Sequence, residues 1–402
     1  MQYQRFDPSG CDFPKARAPM LPPFGRHTRG YGPATAQRSA TAGTNLRSFS
    51  RARCALREAF GQCGVGPIDA LMAPACRCRT MLDPAIHLGA QVALYPLHSD
   101  LSPNLKALNS NLSACQQPIK APLLPHYFGF TREIEPIANF YAEHGITLIE
   151  DCSHARRPSA TTANQNGKAA TRGRLCVASP YKLFLCEDGG MLWSNQDAAV
   201  AWAQQPQPGS AQEIKSFFHF MMSACQPSAG PHVEALDADR KALSGKPARV
   251  GSDLATLEQR TSPAYDLDDE HKPAMGWSRW VVRHSNLARI AAPRRAHYQQ
   301  WANSVAPLPY CRSRFPVLAS DSVPYVFPLC INHLYPHFYV LKHLGVPVGR
   351  WEDLAMSDFR TAANDRLQLL HLPCHQKLSA RQMTWMSVAV RRAMLDFSPD
   401  RK

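Results

Sequence analysis

The sequence has no apolar run approaching the roughly 18 residues needed to span a bilayer, and its opening, MQYQRFDPSG, lacks the apolar core of a secretory signal. No tandem repeat is visible, which sets aside solenoids and propellers. The 13 cysteines follow no framework spacing. An odd number in a long chain reads as reduced thiols in a reducing compartment. Cys76 and Cys78 flank Arg77, but no second Cys or His pair stands at a zinc-like spacing, so no metal is expected. Zinc-finger, RNA-binding aromatic and clear helix-turn-helix patterns are missing too, and nothing marks a nucleic-acid binder. A cytoplasmic protein with no membrane partner is the expectation.

What is present points to a globular chain of more than one domain. At 402 residues it is too long for one small core and fits two domains, or one with an appendage. Lys and Arg number 45 against 31 Asp and Glu, a formal charge of +14 that favours anionic partners, phosphorylated small molecules among them.

Residues 1–48 are rich in Pro, Gly, Ser, Thr and Arg, with seven Lys/Arg against two Asp. They read as an irregular basic arm. From about 50 to 195, helical and strand patterns alternate. Ser50 is placed to cap a helix carrying Leu56 and Phe60. Strands are predicted at Ile68–Ala73, Gln91–Tyr95, Ala121–Pro125, Ile146–Ile149, Leu175–Ala178 and Met191–Trp193. Helices are predicted at Thr80–Leu88 and Asn104–Ala114, and after Pro136, which suits a first helical turn. Such repetition implies a mainly parallel sheet covered on both faces, with ligands beyond the carboxyl ends of its strands. His126, Asp151 and Ser179 fall at predicted strand ends. Residues 205–276 read as a connecting region with insertions. From 277 to the C-terminus, a long helical pattern, a strand at Val323–Ile331 and a final helix capped by Ser379 and Gln382 read as a smaller α+β domain.

Taken singly, the polar residues decide little. Asp151 ends an apolar strand, where a buried carboxylate needs a cationic partner, yet taken alone an Asp there is more often an ordinary loop cap. Lys182 follows the short strand ending at Ser179; a buried lysine is a nucleophile, but most lysines are surface groups. Gly189-Gly190 permits a tight turn. His126 and His154 also fit simple strand-end and loop roles.

Taken in order, they resemble a known family. Leu148-Ile-Glu-Asp-Cys-Ser-His-Ala155 looks like the E-D-x-x-H/Q-A strand end of the DegT/DnrJ/StrS sugar aminotransferases. Ser179-Pro-Tyr-Lys182 with Glu187-Asp-Gly-Gly190 looks like their lysine segment and E-G-G turn. Leu124-Pro-His-Tyr-Phe-Gly129 is similar to their V-H-x-x-G segment. Pro324-Tyr-Val-Phe-Pro328, Gly345-Val-Pro-Val348 and Leu372-Pro-Cys-His-Gln376 resemble their small domain. The family usually has a ring-stacking aromatic residue where this chain has Cys76-Arg77-Cys78-Arg79, and a phosphate-loop Gly where it has Ala52.

The resemblance implies an α/β fold of the aspartate-aminotransferase type. Residues 49–204 would form the large domain that binds pyridoxal 5′-phosphate (PLP), and 277–402 the small C-terminal domain. Lys182 would hold the cofactor covalently. Asp151 would pair with its pyridine nitrogen, His154 would lie by the ring, and Ser179 and Arg53 would serve its phosphate. His126 would approach the substrate. The activity implied is amino transfer from an amino acid to a keto-sugar, commonly nucleotide-linked, by a homodimer. A related PLP-dependent dehydration of a sugar, or a non-catalytic paralogue acting as a binding partner, uses the same framework.

Overall fold

The computed structural model describes residues 3–6, 13–23, 46–130, 134–155, 175–194, 205–206, 209–223, 231–237, 254–257, 262–320, 322–351, 353–355, 357 and 359–397. The chain opens with strand β1 (Tyr3–Phe6), and β2 (Leu46–Phe49) leads into helix α1 (Ala52–Gln62). Then follow β3 (Ala70–Pro74), α2 (Asp83–His87), β4 (Gln91–Tyr95), α3 (Leu105–Ala114), β5 (Ile119–Pro125), α4 (Glu135–Glu143), β6 (Ile149–Asp151), β7 (Leu175–Ala178) and β8 (Gly190–Ser194).

Seven strands form one sheet in the order β2-β8-β7-β6-β5-β3-β4. The neighbours from β4 to β7 pair in parallel, and β8 runs against both β7 and β2. All residues of β3, β6 and β7 are buried, the continuous burial of a sheet covered on both faces. On one face, α1 buries Cys54, Ala55, Leu56, Ala59 and Phe60. Because β4 lies on one side of β3 and β5 on the other, the strand order reverses there, and ligands in such sheets sit beyond the carboxyl ends near that switch.

Beyond the sheet come α5 (Ser210–Ser223), β9 (Leu254–Leu257), α6 (Gly276–His284) and α7 (Leu287–Val305). Strands β10 (Cys311–Ser313) and β11 (Val326–Ile331) follow, then α8 (His337–His343), β12 (Asp353–Ala355), α9 (Arg360–Gln368), β13 (Leu369–Pro373) and α10 (Ala380–Asp396). The antiparallel sheet β10-β11-β13 is packed by α7 and α10 around the buried Trp301, Phe327 and Trp385. The Trp301 indole donates to the Pro373 carbonyl at 2.9 Å, so the ring's one polar atom is satisfied within the core. Ser379 and Gln382 form the expected capping box.

Three expectations need correction. The long helix predicted from 277 is two helices: Asn286 accepts the amides of Ala288 and Arg289 and starts α7 afresh after Ser285. The strand predicted at 146–149 lies at Ile149–Asp151, because Gly145, at φ +67°, turns the chain first. The arm is not wholly irregular. β1 pairs antiparallel with both β9 and β12, forming a third sheet. Residues 13–23 lie along the C-terminal part, with Phe13 against Phe338, Tyr339 and His343 and the Arg17 amide on Gly345 O at 2.9 Å.

Candidate active site

A cavity of about 370 Å³ opens at the carboxyl ends of β5, β6 and β7 and is closed by residues from the C-terminal part. Lys182, Asp151, His154, Ser179, Arg53 and His126 all line it. Lys182 is delivered by a short 3-10 turn, Pro180–Lys182, that Pro180 initiates just after β7. The Lys182 amide bonds the Ser179 carbonyl at 3.2 Å. Its Nζ lies 5.4 Å from the centre of the Tyr325 ring and makes no ion pair with the described residues.

Asp151 is only 4% exposed. Its Oδ1 accepts the Ser153 amide at 2.8 Å, and no basic side chain among the described residues pairs with it. A buried carboxylate with no cation is costly by several kcal/mol unless a ligand supplies the charge. A protonated ring nitrogen in the cavity would do so. This unpaired acid and the unpaired amine of Lys182, facing one cavity, are the donor set that PLP requires, and the site fits the cofactor.

His154 stands between two rings, stacked on Tyr325 at 4.6 Å and on Phe128 at 5.8 Å between centroids. Its Nδ1 accepts the Phe128 amide at 3.3 Å, which assigns the proton to Nε2. Burial, helped by the charge of Lys182 and by His371, holds its pKa well below the usual range, so the ring is neutral. His371, on β13, is pushed down to about 3 by burial and by the charges of Arg350 and Lys182. It packs edge-on against Phe128 at 5.0 Å and Trp351 at 5.2 Å. His375 is also pushed down to about 3, first by burial and then by Arg294. It donates from Nε2 to Pro19 O at 3.1 Å and accepts the Lys377 amide at Nδ1 at 3.3 Å.

These histidines set an acid limit on stability. An unfolded histidine titrates near 6.5, so between about pH 6.5 and about pH 3 the unfolded chain binds more protons than the folded one. Stability is therefore full above about pH 6.5 and is lost as pH falls through that window. Thermal unfolding followed by circular dichroism should show a plateau in Tm above about pH 7 and a steep fall by about pH 5, less steep in His375→Gln. A Tm unchanged across that range would contradict the neutral assignment.

At the other end of the cavity stands the N-terminus of α1. The Cys54 amide bonds Arg51 O at 3.1 Å, and the amides of Ala52 and Arg53 before it make the helix start a natural phosphate site. The Gly189-Gly190 turn makes this end possible. A Cβ on Gly190 would strike the Arg51 carbonyl, and the Gly189 amide bonds Ser50 O at 2.8 Å. Ser179 is buried beside this end and its hydroxyl is engaged by no described group. Arg53 lines the cavity, but one arm of its guanidinium donates to the Ala264 carbonyl. The cap position is Arg51, one residue after the expected Ser50, and its side chain makes no capping bond. It too lines the cavity and donates to Glu187 O at 3.3 Å.

His126 lines the cavity, but its side chain is buried, with Nε2 3.3 Å from Glu150 Oε2 across the ends of β5 and β6. The Cys76-Arg77-Cys78-Arg79 run divides its duties. Buried Arg77 donates to the carbonyls of Pro74 and Ala75, and Arg79 lies near Asp83. Cys76 turns towards Asp365, and only Cys78 of the two thiols reaches the cavity, beside Thr80.

Other wall residues had no assigned role. Tyr325 lies inside a quoted motif and His371 just before another; both positions were visible, but not their direction. Gly349, Arg350 and Trp351 come from a loop with no distinctive spacing. Met20 and Leu21 come from the arm, whose Pro-rich composition gave no signal that it crosses the cavity.

A mostly parallel sheet thus brings a lysine, a buried carboxylate and a helix N-terminus to one cavity at its strand ends. Residues 47–223 match the model of the DegT/DnrJ/EryC1/StrS aminotransferase family. Solved structures share the fold. TlmJ, an aminotransferase from Streptoalloteichus hindustanus, is 19% identical with a TM-score of 0.59, over 90% of this chain and 91% of that one. Helicobacter pylori PseC, an aminotransferase involved in the biosynthesis of pseudoaminic acid, is 13% identical with a TM-score of 0.59, over 94% of this chain and 100% of that one. NtdA from Bacillus subtilis, solved with bound cofactor PMP, is 13% identical with a TM-score of 0.57, over 87% and 73%.

Proposed function

We propose that this protein transfers an amino group from an amino acid to a keto-sugar carried on a nucleotide diphosphate, in polysaccharide or secondary-metabolite biosynthesis. One observation carries the reading: an unpaired buried carboxylate at Asp151 and an unpaired amine at Lys182 line the same cavity. Bound PLP would supply an electron sink for the pair of electrons left on the substrate carbon. Asp151 would hold the pyridine nitrogen protonated. Lys182 would anchor the cofactor and, once released, take the proton from the substrate α-carbon and return it at the cofactor's C4′. Ser179, Arg51, Arg53 and the first-turn amides of α1 would bind the phosphate. His154, neutral, would pack by the ring and offer its Nε2–H.

The charge balance of the wall supports an anionic substrate. Arg51, Arg53, Lys182 and Arg350 line the cavity against the single carboxylate Asp151, which leaves positive charge for a diphosphate after the cofactor is bound. A homodimer is part of the proposal. It is supported by the exposed Phe217, Phe218 and Trp280 on α5 and α6, where Trp277 and Trp280 stack at 4.8 Å. Light scattering that finds only a monomer would remove that part.

The test is spectroscopic. Purified protein given PLP should develop a visible absorbance band that an amino donor such as glutamate discharges and a keto-acceptor restores. A band that no amino acid discharges would favour the dehydratase chemistry, and no band at all would favour the non-catalytic paralogue.

A further inference from the structure

Arg294 sits on α7 and is wholly buried, at 0% exposure. No carboxylate among the described residues answers its charge, and burial draws its pKa down to about 10. Every donor direction of the guanidinium ends on a neutral oxygen instead. Nε donates to Gln376 Oε1 at 2.7 Å. One terminal nitrogen donates to Pro324 O at 2.9 Å and Tyr325 O at 3.2 Å. The other donates to Lys182 O at 2.9 Å and Leu183 O at 3.3 Å. Gln376 completes the grip by donating to Leu183 O at 2.8 Å.

An uncompensated buried cation is a poor way to fill space. An apolar residue of similar volume avoids the desolvation cost. What only a planar fork can do is bind two pairs of adjacent carbonyls at once. The two pairs chosen are telling. One belongs to Lys182 and its neighbour on the large sheet's side. The other belongs to Tyr325 and its neighbour, which enter β11. The Tyr325 ring faces the Lys182 ammonium at 5.4 Å and stacks on His154 at 4.6 Å. The backbone of the lysine and the backbone of the ring it faces are therefore held by one side chain, which itself never reaches the cavity.

We propose that Arg294, oriented by Gln376, is a positioning residue that fixes the reach of Lys182 relative to the small-domain wall of the site. The consequence for PLP attachment rests on the proposed function; the tether itself does not. Loss of the fork should free the Pro180–Lys182 turn and the start of β11 together. Amine and cofactor then share a cavity without the registration that attachment demands, a displacement for which even an ångström matters.

The test uses the full chain and three variants: Arg294→Gln, Arg294→Lys and Gln376→Leu. In PLP-free protein, hydrogen exchange should rise about tenfold or more in Arg294→Gln at the amides of Lys182, Leu183 and Tyr325 together. With PLP at saturation, the share of bound cofactor that borohydride fixes on Lys182 should fall about fivefold or more, while affinity from a fluorescence titration changes less than about threefold. Arg294→Lys, which keeps charge but not the fork, should recover only part of the trapped share. An unchanged trapped share, or exchange that rises in α7 alone or evenly over the chain, would overturn the proposal. Should Arg294→Gln not fold, Gln376→Leu decides: it keeps the cation, and a wild-type trapped share there defeats the assignment. If the wild-type protein takes up no PLP, the functional reading fails, and the exchange experiment still decides the tether.

Discussion

Lys182→Ala is expected to lose the visible band of the PLP-loaded protein and to reduce amino transfer by about 10³-fold or more. Two contributions disappear at once. Covalent anchoring goes, and so does general acid–base catalysis, by itself worth about 10²- to 10⁴-fold. Folding should survive. Lys182 is half-buried, ends a single 3-10 turn and makes no ion pair with the described residues. Its backbone contacts to Ser179 and Arg294 do not depend on its side chain. Thermal unfolding of the apo-variant should therefore match wild type. A variant that keeps the band and turns over normally would show that another amine does the work. A large drop in apo-protein Tm would mean that Lys182 serves packing.

Asp151→Asn should separate stability from activity in opposite directions. The substitution keeps an oxygen for the Ser153 amide but removes a buried charge that has no basic partner among the described residues. Relieving that charge should leave the apo-protein as stable as wild type or more so. With PLP bound, the same change removes the group that keeps the ring nitrogen protonated, and kcat should fall by about 10²- to 10³-fold, the scale of losing one preorganised electrostatic partner. Tm of the apo-forms and kcat of the loaded forms measure the two effects separately. Loss of apo-stability with little loss of kcat would make Asp151 a structural cap, the ordinary reading of an aspartate at a strand end.

Much of this site was legible because its residues sit where periodicity changes. Asp151 and Ser179 follow apolar strands, and Gly189-Gly190 marks a turn so close that the Arg51 carbonyl occupies the Cβ position of Gly190. Strand ends are set by local pattern, and local pattern is what a single sequence displays. Legibility failed where long-range contact decides. Arg53 was expected at the phosphate, but the carbonyl of Ala264, 211 residues away, takes part of its fork, and Arg51 also lines the cavity. The contact of the His126 ring with Glu150, 24 residues on, likewise has no local signature. Arg294 appeared as one more arginine in a helix rich in them, since its five acceptors come from three separate segments. Met20 and Leu21 reach the cavity because the His375 ring bonds Pro19 O, 356 residues away in the chain, a contact without any local signature.

The central claim is that the amine of Lys182 and the acid of Asp151 serve one cofactor ring. Its most direct test is borohydride reduction of the PLP-loaded protein followed by peptide mapping. The account predicts a single phosphopyridoxyl group, on Lys182, with the labelled peptide lost in Lys182→Ala and its yield reduced in Asp151→Asn. Label spread over exposed lysines such as Lys106 and Lys120, or no label at all, would contradict it.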